Sequence, residues 1–247
     1  MRTENGFRID TEKLEEMITS KTKMIILNSP HNPTGMVMSK EEAESIADTC
    51  RDHDILAMSD EMYEKLLYDE ARHYSIGSFP GMEDLTITIN GFSKAYSMTG
   101  WRLGYVAGGK EIMSKMLMLR QHSVTHPTSF VEKAGVTALR QCDKDVKGMV
   151  KDYQIARDYF VPELDRLDLF SCARPKGAFY AFPRITGNSM ISDKLSELLL
   201  EKARVLAVPG SAFGKYGEGY VRFVYARPME VLEKAIDRIK NMTELVA

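Results

Sequence analysis

The chain alternates between short apolar runs and segments with the spacing of amphipathic helices. Three runs, at 23–28, 55–58 and 86–90, are typical of strands buried in a parallel sheet. Between the first two runs, Ser39 and Glu42 form a capping box ahead of an apolar stripe of helical period. This strand–helix–strand order predicts an α/β fold with a mainly parallel sheet.

The second half of the chain predicts a further strand at 103–108 and then a different arrangement. Helices are predicted at 111–123, 130–141, 146–167, 191–203 and 229–242, with short strands at 177–182, 205–208 and 220–225. We therefore predict two domains: residues 1–145 carry the larger sheet, and residues 146–247 form a small α/β domain. The long helix at 146–167 belongs to the second domain and bridges the two.

Candidate chemistry appears just past the strand at 86–90. Lys94 follows that strand, and open α/β sheets place their ligands at strand ends. A lysine in a dry site loses its proton readily and becomes the amine nucleophile that forms a Schiff base with a carbonyl cofactor. Arg102 lies eight residues further on, and its planar guanidinium suits a phosphate group.

Lys94 and Arg102 belong to a set of motifs that stand in a fixed order along the chain. Through these motifs the chain resembles the class I/II pyridoxal-phosphate aminotransferases, and the resemblance covers essentially its whole length. The motifs are Asn32-Pro33-Thr34-Gly35, Ser59-Asp60-Glu61-Met62-Tyr63, Ser93-Lys94, Thr99-Gly100-Trp101-Arg102-Leu103-Gly104-Tyr105 and Tyr220-Val221-Arg222-Phe223. The resemblance implies a fold type I architecture, with a large domain and a small C-terminal domain.

The resemblance also implies a role for each candidate residue around the cofactor ring. Lys94 is implied to hold pyridoxal phosphate covalently and to act as general acid and base. Asp60 is implied to pair with the pyridine nitrogen, which keeps the ring protonated so that it accepts electrons. Tyr63 and Asn32 are implied to donate hydrogen bonds to the phenolic oxygen. The Asn32–Pro33 bond is implied to be cis.

The phosphate and the substrate have their own implied partners. Ser93 and Arg102 are implied to bind the cofactor phosphate, with Gly91 allowing a close approach of the backbone. Arg222 is implied to hold the substrate α-carboxylate in a bidentate contact. Taken alone, each residue type is also typical of a structural role. These roles are a solvated surface lysine (Lys94), a helix N-cap (Asp60), a core tyrosine (Tyr63), a turn residue (Asn32), a turn cap (Ser93), an ion-pair arginine (Arg102) and a surface arginine on an edge strand (Arg222).

The implied function is transfer of an amino group from an L-amino acid of the aspartate or aromatic type to a 2-oxo acid, by a homodimer. Two alternatives stay open: a truncated and catalytically silent chain, and another fold type I enzyme such as a C–S β-lyase. In the resembling enzymes a long segment precedes the part similar to Asn5-Gly6-Phe7-Arg8-Ile9-Asp10. The chain therefore resembles their C-terminal three-fifths.

The composition of the chain mainly argues against certain partners and locations. The chain has 247 residues, of which 44% are hydrophobic and 28% charged, as in ordinary globular proteins. Its net charge of −2 predicts no nucleic-acid or anionic-membrane partner. The polar start after Met1 is not a signal peptide, no apolar run has transmembrane length, and the three cysteines are scattered, so we expect a cytoplasmic protein. His122 and His126 have the spacing of a metal pair but no third ligand, and no metal site is predicted.

Overall fold

The computed structural model describes residues 6–186 and 190–246. Asn5, the first residue of one quoted segment, lies outside the described residues. Contacts divide the chain into two compact units. The N-terminal unit comprises residues 6–30 and Val37–Gly148, and the C-terminal unit comprises His31–Met36 and residues 149–246. The predicted domain division at 145/146 itself stays a prediction.

The N-terminal unit is built on a four-stranded sheet in the order β1-β2-β3-β4. The first three strands are parallel, and β4 runs antiparallel to β3. The elements of this unit are α1 (Thr11–Glu16), β1 (Met24–Asn28), α2 (Lys40–Asp52), β2 (Leu56–Asp60), β3 (Thr86–Gly91), β4 (Gly104–Gly108), α3 (Lys110–Gln121) and α4 (Ser129–Gln141). The predicted α/β fold with a mainly parallel sheet is confirmed.

Helix α2 covers one face of this sheet. The predicted capping box is present: the Ser39 hydroxyl accepts from the Glu42 backbone N–H, and the Glu42 carboxylate accepts from the Ser39 N–H. From that start the helix turns Ile46 and Cys50 inward, and both are fully buried in one cluster with Ile25 and Leu27 of β1. The side chain of Glu42 also accepts from the backbone N–H of Ile9, which ties the first described residues to α2.

The opposite face of β1 is not buried, and here the prediction of a buried strand is wrong. Ile26 is 74% exposed, whereas its neighbours Ile25 and Leu27 are buried. A parallel strand is buried on both faces only when helices cover both sides of the sheet. On this side no described element covers Ile26.

The C-terminal unit combines helices with very short strands. Its elements are α5 (Asp143–Asp165, from residue 149 onward), β5 (Phe170–Ser171), β6 (Tyr180–Ala181), β7 (Arg184–Ile185), α6 (Ser192–Glu201), β8 (Val208–Pro209), β9 (Val221–Val224) and α7 (Met229–Val246). Strand β9 pairs antiparallel with both β6 and β8. Phe223 of β9 packs edge-on against Phe160 of α5 and against Phe170, with ring centroids 5.8 and 5.7 Å apart.

Several predicted strands of this unit are corrected by the structure. The strand expected over 177–182 is reduced to Tyr180–Ala181, and the one expected over 205–208 is Val208–Pro209. Strands β5 and β7, which pair with each other, were not predicted. Among the described residues, no helix is long and apolar enough to cross a membrane.

Candidate active site

Asp60 is the last residue of β2, so it lies at the carboxyl end of the parallel strands. Lys94 follows the carboxyl end of the adjacent strand β3. Its Oδ1 accepts the backbone N–H of Met62 at 3.1 Å, which closes an Asx turn rather than capping a helix. The helix N-cap alternative is therefore wrong, because a turn follows β2 and no helix begins there. This turn fixes the carboxylate at the strand end.

Tyr63 lies in the turn that follows, and its side chain is buried. The Nζ atom of Lys94 lies 5.8 Å from the centroid of the Tyr63 ring. A cation at this distance is attracted by the face of the ring. The structure thus brings together Lys94 and Tyr63, two of the residues predicted to contact the cofactor, beyond the ends of adjacent strands.

The loop that carries Lys94 is held by a small apolar core of its own. Phe92, Met98 and Leu103 pack against Val131 and Ala138 of α4. This core lies on both sides of Lys94 in sequence, so it fixes the loop at each end while Lys94 itself stays half-buried. The polar, glycine-containing sequence of the loop therefore has an apolar anchor at Phe92, Met98 and Leu103.

Gly91 and Gly104 lie at the two ends of this loop, where the backbones of β3 and β4 approach each other closely. A Cβ atom on Gly91 would lie 2.9 Å from the Cα of Gly104 and 3.0 Å from the carbonyl oxygen of Leu103. The two glycines are partners in the β3–β4 register. The structure thus gives Gly91 a role in strand pairing, which differs from the predicted approach to a phosphate.

Arg102 follows a 3₁₀ turn and adopts a left-handed backbone conformation, with φ of 55°. Its Nη1 donates to the carbonyl oxygen of Thr99 at 2.9 Å, and among the described residues it forms no ion pair. Arg102, Arg120 and His126 line one cavity of about 870 Å³. Neither Lys94 nor Asp60 lines this cavity. The role of Arg102 and Ser93 in phosphate binding stays a prediction.

Glu61 is a residue whose importance the sequence analysis missed. Its buried carboxylate lies within hydrogen-bonding distance of the hydroxyls of Ser59 (2.9 Å) and Ser75 (2.7 Å) and of Nε2 of His73 (3.0 Å). Burial alone would raise the pKa of Glu61, but the hydrogen bonds from His73, Ser75 and Ser59 outweigh it and hold that pKa below its usual value. A glutamate directly after Asp60 was the available sequence signal, but two of its three partners, His73 and Ser75, are distant in sequence.

In the C-terminal unit the structure brings together Arg222 and Asn32. The Nη1 of Arg222 donates to Oδ1 of Asn32 at 2.8 Å. The guanidinium also lies over two rings, 4.6 Å from the centroid of Tyr180 and 4.9 Å from that of Phe213. Its buried Nε has no hydrogen-bond partner among the described residues. Because β9 is the central strand of its sheet, the edge-strand alternative for Arg222 is wrong.

The loop that carries Asn32 is fixed to the same unit. The carbonyl oxygen of Gly35 accepts backbone N–H groups of Lys176 and Gly177, both at 2.9 Å. Gly35 has a positive φ of 69°, and an added Cβ would lie 2.4 Å from the Cβ of Pro175. The Asn32–Pro33 bond is cis, as the resemblance implied. Burial lowers the pKa of His31 in this loop to about 4.

Comparison with known proteins identifies the class to which this fold and these residues belong. The family model described as aminotransferase class I and II matches residues 1–239. The chain belongs to this family.

The relatives include aspartate and aromatic-amino-acid aminotransferases. The aspartate aminotransferase of Pyrococcus abyssi is 47% identical over 97% of this chain and 62% of its own length. The aromatic-amino-acid aminotransferase 2 of Thermococcus litoralis is 44% identical over the same shares. Among solved structures, the aromatic aminotransferase from Pyrococcus horikoshii OT3 superposes with a TM-score of 0.96 at 45% identity, covering 99% of this chain and 66% of that one. The chain thus spans less than two-thirds of these relatives.

Proposed function

We propose that this chain is the larger part of a pyridoxal-phosphate-dependent aminotransferase. The observation that carries the proposal is the position of Lys94 beside Tyr63, next to the strand that ends in Asp60. An amine, a phenol and a carboxylate beyond adjacent strand ends are the groups that a carbonyl cofactor with a basic ring nitrogen requires. Membership of the aminotransferase class I and II family supports the same proposal.

The described residues fit this cofactor. Asp60 uses Oδ1 in its turn, and among the described contacts Oδ2 is left to accept a hydrogen bond from a ring nitrogen. The buried Tyr63 is proposed to donate its hydroxyl to the phenolic oxygen of the ring, together with Asn32. When bound, pyridoxal phosphate supplies an electron sink that stabilises the negative charge left when Cα of the substrate loses its proton.

Lys94 is proposed to have two tasks. Its amine would hold the cofactor, and it would also act as the base that takes the proton from Cα of the substrate. Both tasks need the neutral form of this nitrogen. Ser93 and Arg102 are proposed to hold the cofactor phosphate.

Arg222 is proposed to bind the substrate carboxylate. Its guanidinium is held by Asn32 and by the rings of Tyr180 and Phe213, while Nε makes no hydrogen bond among the described residues. A carboxylate that accepted from Nε and from a second guanidinium nitrogen would satisfy this buried donor. The bidentate contact would also orient Cα.

The substrates proposed are an L-amino acid of the aspartate or aromatic type and a 2-oxo acid, and the assembly proposed is a homodimer. The names of the relatives support both substrate types, since they include aspartate and aromatic aminotransferases. A silent chain and a C–S β-lyase are the alternatives. A lyase would release ammonia and a thiol, whereas an aminotransferase moves the amino group to the 2-oxo acid.

The proposal is tested by reducing the purified chain with borohydride in the presence of pyridoxal phosphate and locating the added mass by peptide mass spectrometry. We expect the pyridoxyl group on Lys94 and an absorption band that shifts when an amino acid is added. Lys94→Ala should abolish both. Each sample is measured alone and with the part of the P. abyssi enzyme that the match to this chain does not cover.

Lys65→Ala is the matched control, because Lys65 is a half-buried lysine of the same unit. Its ion pair with Asp143 is largely exposed and contributes little to stability. The modification of Lys94 should persist in this variant. Pyridoxyl groups spread over surface lysines in both samples would contradict the proposal, and a band on Lys94 without amino transfer would favour the lyase or the silent chain.

A further inference from the structure

Arg157 of α5 is the only lysine or arginine that is buried among the described residues, and its exposed fraction is 0%. Its Nε and Nη2 lie 2.8 and 2.7 Å from Oδ1 of Asp158, the next residue of the helix. The side chain of Asp158 is 39% exposed, so this ion pair has one charge in the interior and the other partly in water. A buried charge is costly, and a half-solvated partner compensates only part of that cost. The other contact of the guanidinium therefore indicates why a charge is kept here.

That other contact is a buried hydrogen bond to Pro175. The Nη1 of Arg157 donates to the backbone carbonyl oxygen of Pro175 at 3.0 Å. Residues 172–175 form no helix or strand, so no ladder of backbone hydrogen bonds holds this carbonyl group. The contact with Arg157 thus fixes the segment to α5.

Pro175 in turn packs against the loop that carries Asn32. An added Cβ at Gly35 would lie 2.4 Å from Cβ and 3.2 Å from Cα of Pro175, so the two backbones are in close contact. The carbonyl oxygen of Gly35 accepts the backbone N–H groups of residues 176 and 177. The N–H of Gly35 donates to the carbonyl oxygen of His31, the residue before Asn32. A displacement of Pro175 would therefore move the Asn32 loop.

The same face of α5 also supports a ring next to Arg222. Tyr153 precedes Arg157 by four residues, so the two side chains lie on one side of the helix. The Tyr153 ring packs edge-on against Phe179, with centroids 5.8 Å apart, and the Phe179 ring lies 4.7 Å from that of Tyr180. The guanidinium of Arg222 lies over the Tyr180 ring at 4.6 Å. One helix face therefore contacts both segments that hold Arg222.

We propose that Arg157 is a positioning residue for the carboxylate site: through Pro175 and the Asn32 loop, it sets the orientation in which the Arg222 guanidinium meets the substrate carboxylate. This inference rests on the proposed role of Arg222. All of these residues belong to the C-terminal unit. The Nη1 of Arg222 is directed by its 2.8 Å hydrogen bond to Oδ1 of Asn32. A bidentate contact requires two N–H groups to point at two oxygens at once, so a displaced Asn32 would weaken it.

A purely structural role for Arg157 is the alternative. Its loss would then lower the stability of the unit but leave the Arg222 site of the folded protein unchanged. The contacts favour positioning, because an ion pair with Asp158 alone needs no hydrogen bond to Pro175.

The test uses the whole chain without cofactor, isotopically labelled, and follows the Nε–H signal of Arg222 by nuclear magnetic resonance. Arg222→Lys assigns the signal by removing it. Succinate is the probe, because it offers carboxylates but has no amino group that would react with a cofactor. We expect succinate to shift the signal in the parent chain, and we expect Arg157→Lys to raise the Kd for succinate at least about tenfold. The single nitrogen of lysine keeps the charge but does not reproduce the planar fork that reaches both Asp158 and Pro175.

Arg174→Lys is the matched control. Arg174 also pairs with Oδ1 of Asp158, at 2.7 Å, but its side chain is 51% exposed. The donor to Pro175 in the buried hydrogen bond is Arg157. The control should therefore leave the Kd for succinate unchanged.

A double variant tests the route from Arg157 to Arg222. If Arg157 acts through Asn32, adding Arg157→Lys to Asn32→Ala should change the Kd for succinate by less than about twofold. Independent effects would instead multiply.

Gly35→Ala tests the same contact with Arg157 intact. Its Cβ would meet Pro175, so it should weaken succinate binding and move the Arg222 signal in the same direction as Arg157→Lys. Circular dichroism and thermal melting establish that each variant is folded. If Arg157→Lys does not fold, Gly35→Ala decides, and an unchanged Kd overturns the proposal.

Three further results would overturn the proposal. They are a Kd for succinate in folded Arg157→Lys within about twofold of the parent value, an equal weakening in Arg174→Lys, and multiplying effects in the double variant. Failure of succinate to shift the Arg222 signal of the parent chain would instead contradict the proposed role of Arg222. The signal without succinate then decides on Arg157: it should move in Arg157→Lys as it does in Asn32→Ala, and a signal that stays in place overturns the inference.

Discussion

At the scale of single residues, Glu61 links the two site residues on either side of it. It lies between Asp60 and Tyr63, and its carboxylate ties the end of β2 to Ser75 and His73. Glu61, Glu64 and His73 place ligand atoms within 4.8 Å of one another, but the Glu61 carboxylate is already held by its three partners. We therefore interpret Glu61 as a support for the turn that positions Asp60 and Tyr63.

The Glu61 carboxylate gives a prediction about stability and pH. Its folded-state pKa lies below the usual value, so the stability it contributes is present above pH about 4.5 and is lost as the pH falls through the folded pKa. Glu61→Gln should lower the free energy of unfolding at pH 7 by about 1–3 kcal/mol, the usual cost of losing hydrogen bonds to a charged group. Urea unfolding at several pH values measures both effects.

In Glu61→Gln the difference from the parent chain should shrink as the pH is lowered below about 4.5, since Gln does not titrate. Glu64→Gln is the control, because Glu64 is a neighbouring carboxylate outside the hydrogen bonds around Glu61. A difference between the parent chain and Glu61→Gln that is the same at pH 7 and at pH 4 would show that the charge of Glu61 contributes nothing.

At the scale of elements, the Lys94 loop depends on its contact with α4. A Cβ atom added at Gly135 of α4 would lie 2.5 Å from Cδ2 of Leu103 and 3.2 Å from Cζ of Phe92. Both side chains belong to the apolar core that anchors the loop. The absence of a side chain at Gly135 therefore allows the loop to pack directly onto the helix.

A pair of glycine variants tests this packing. Gly135 and Gly148 both lie inside helices, and an added Cβ at Gly148 would meet nothing within 4 Å. Gly148→Ala should raise stability by about 0.5–1 kcal/mol through helix propensity, whereas overpacking at Gly135 opposes that gain by about 1–3 kcal/mol. Thermal melts should place Gly135→Ala below Gly148→Ala, and equal melting temperatures would refute the close contact.

The elements also show which features could be read from the sequence. The three parallel strands were predicted within two residues, and the start of α2 was predicted by its capping box, because apolar runs and capping boxes are local signals. Strands β5 and β7 have two residues each and carry no periodicity. The exposure of Ile26 was missed because it depends on what covers the sheet, which the strand itself does not encode.

In the candidate site, too, local features were predicted and contacts between distant residues were not. The positions of Asp60 and Lys94 follow from two parallel strands that end at one edge of the sheet. Other segments of the chain supply His73 and Ser75, two of the three partners of Glu61, and the rings that hold Arg222. The sequence alone gave no sign of these contacts. The cofactor, the homodimer and the cytoplasmic location stay predictions.

At the scale of the whole molecule, protection against hydrogen exchange should differ strongly between strands. Strand β9 lies between two strands, with Val221 and Phe223 buried, and β2 lies between β1 and β3, with Ala57 buried. Among the described strands β4 has one neighbour, β3, and none of its residues is buried. Local opening exposes amides most readily where few apolar contacts hold them, so β4 should exchange at least about tenfold faster than β2 and β9, a difference of about 1.4 kcal/mol.

Native-state hydrogen exchange followed by mass spectrometry measures these strands in one experiment. Strands β2 and β4 belong to the same sheet, so their comparison measures a difference in protection within one unit. Strand β9 provides the same comparison with a strand of the other unit. Equal protection of β2 and β4 would contradict the prediction, because it would mean that the exposed strand opens only when the whole unit unfolds. Faster exchange of β4 would show that the described sheet is least stable along its β4 edge.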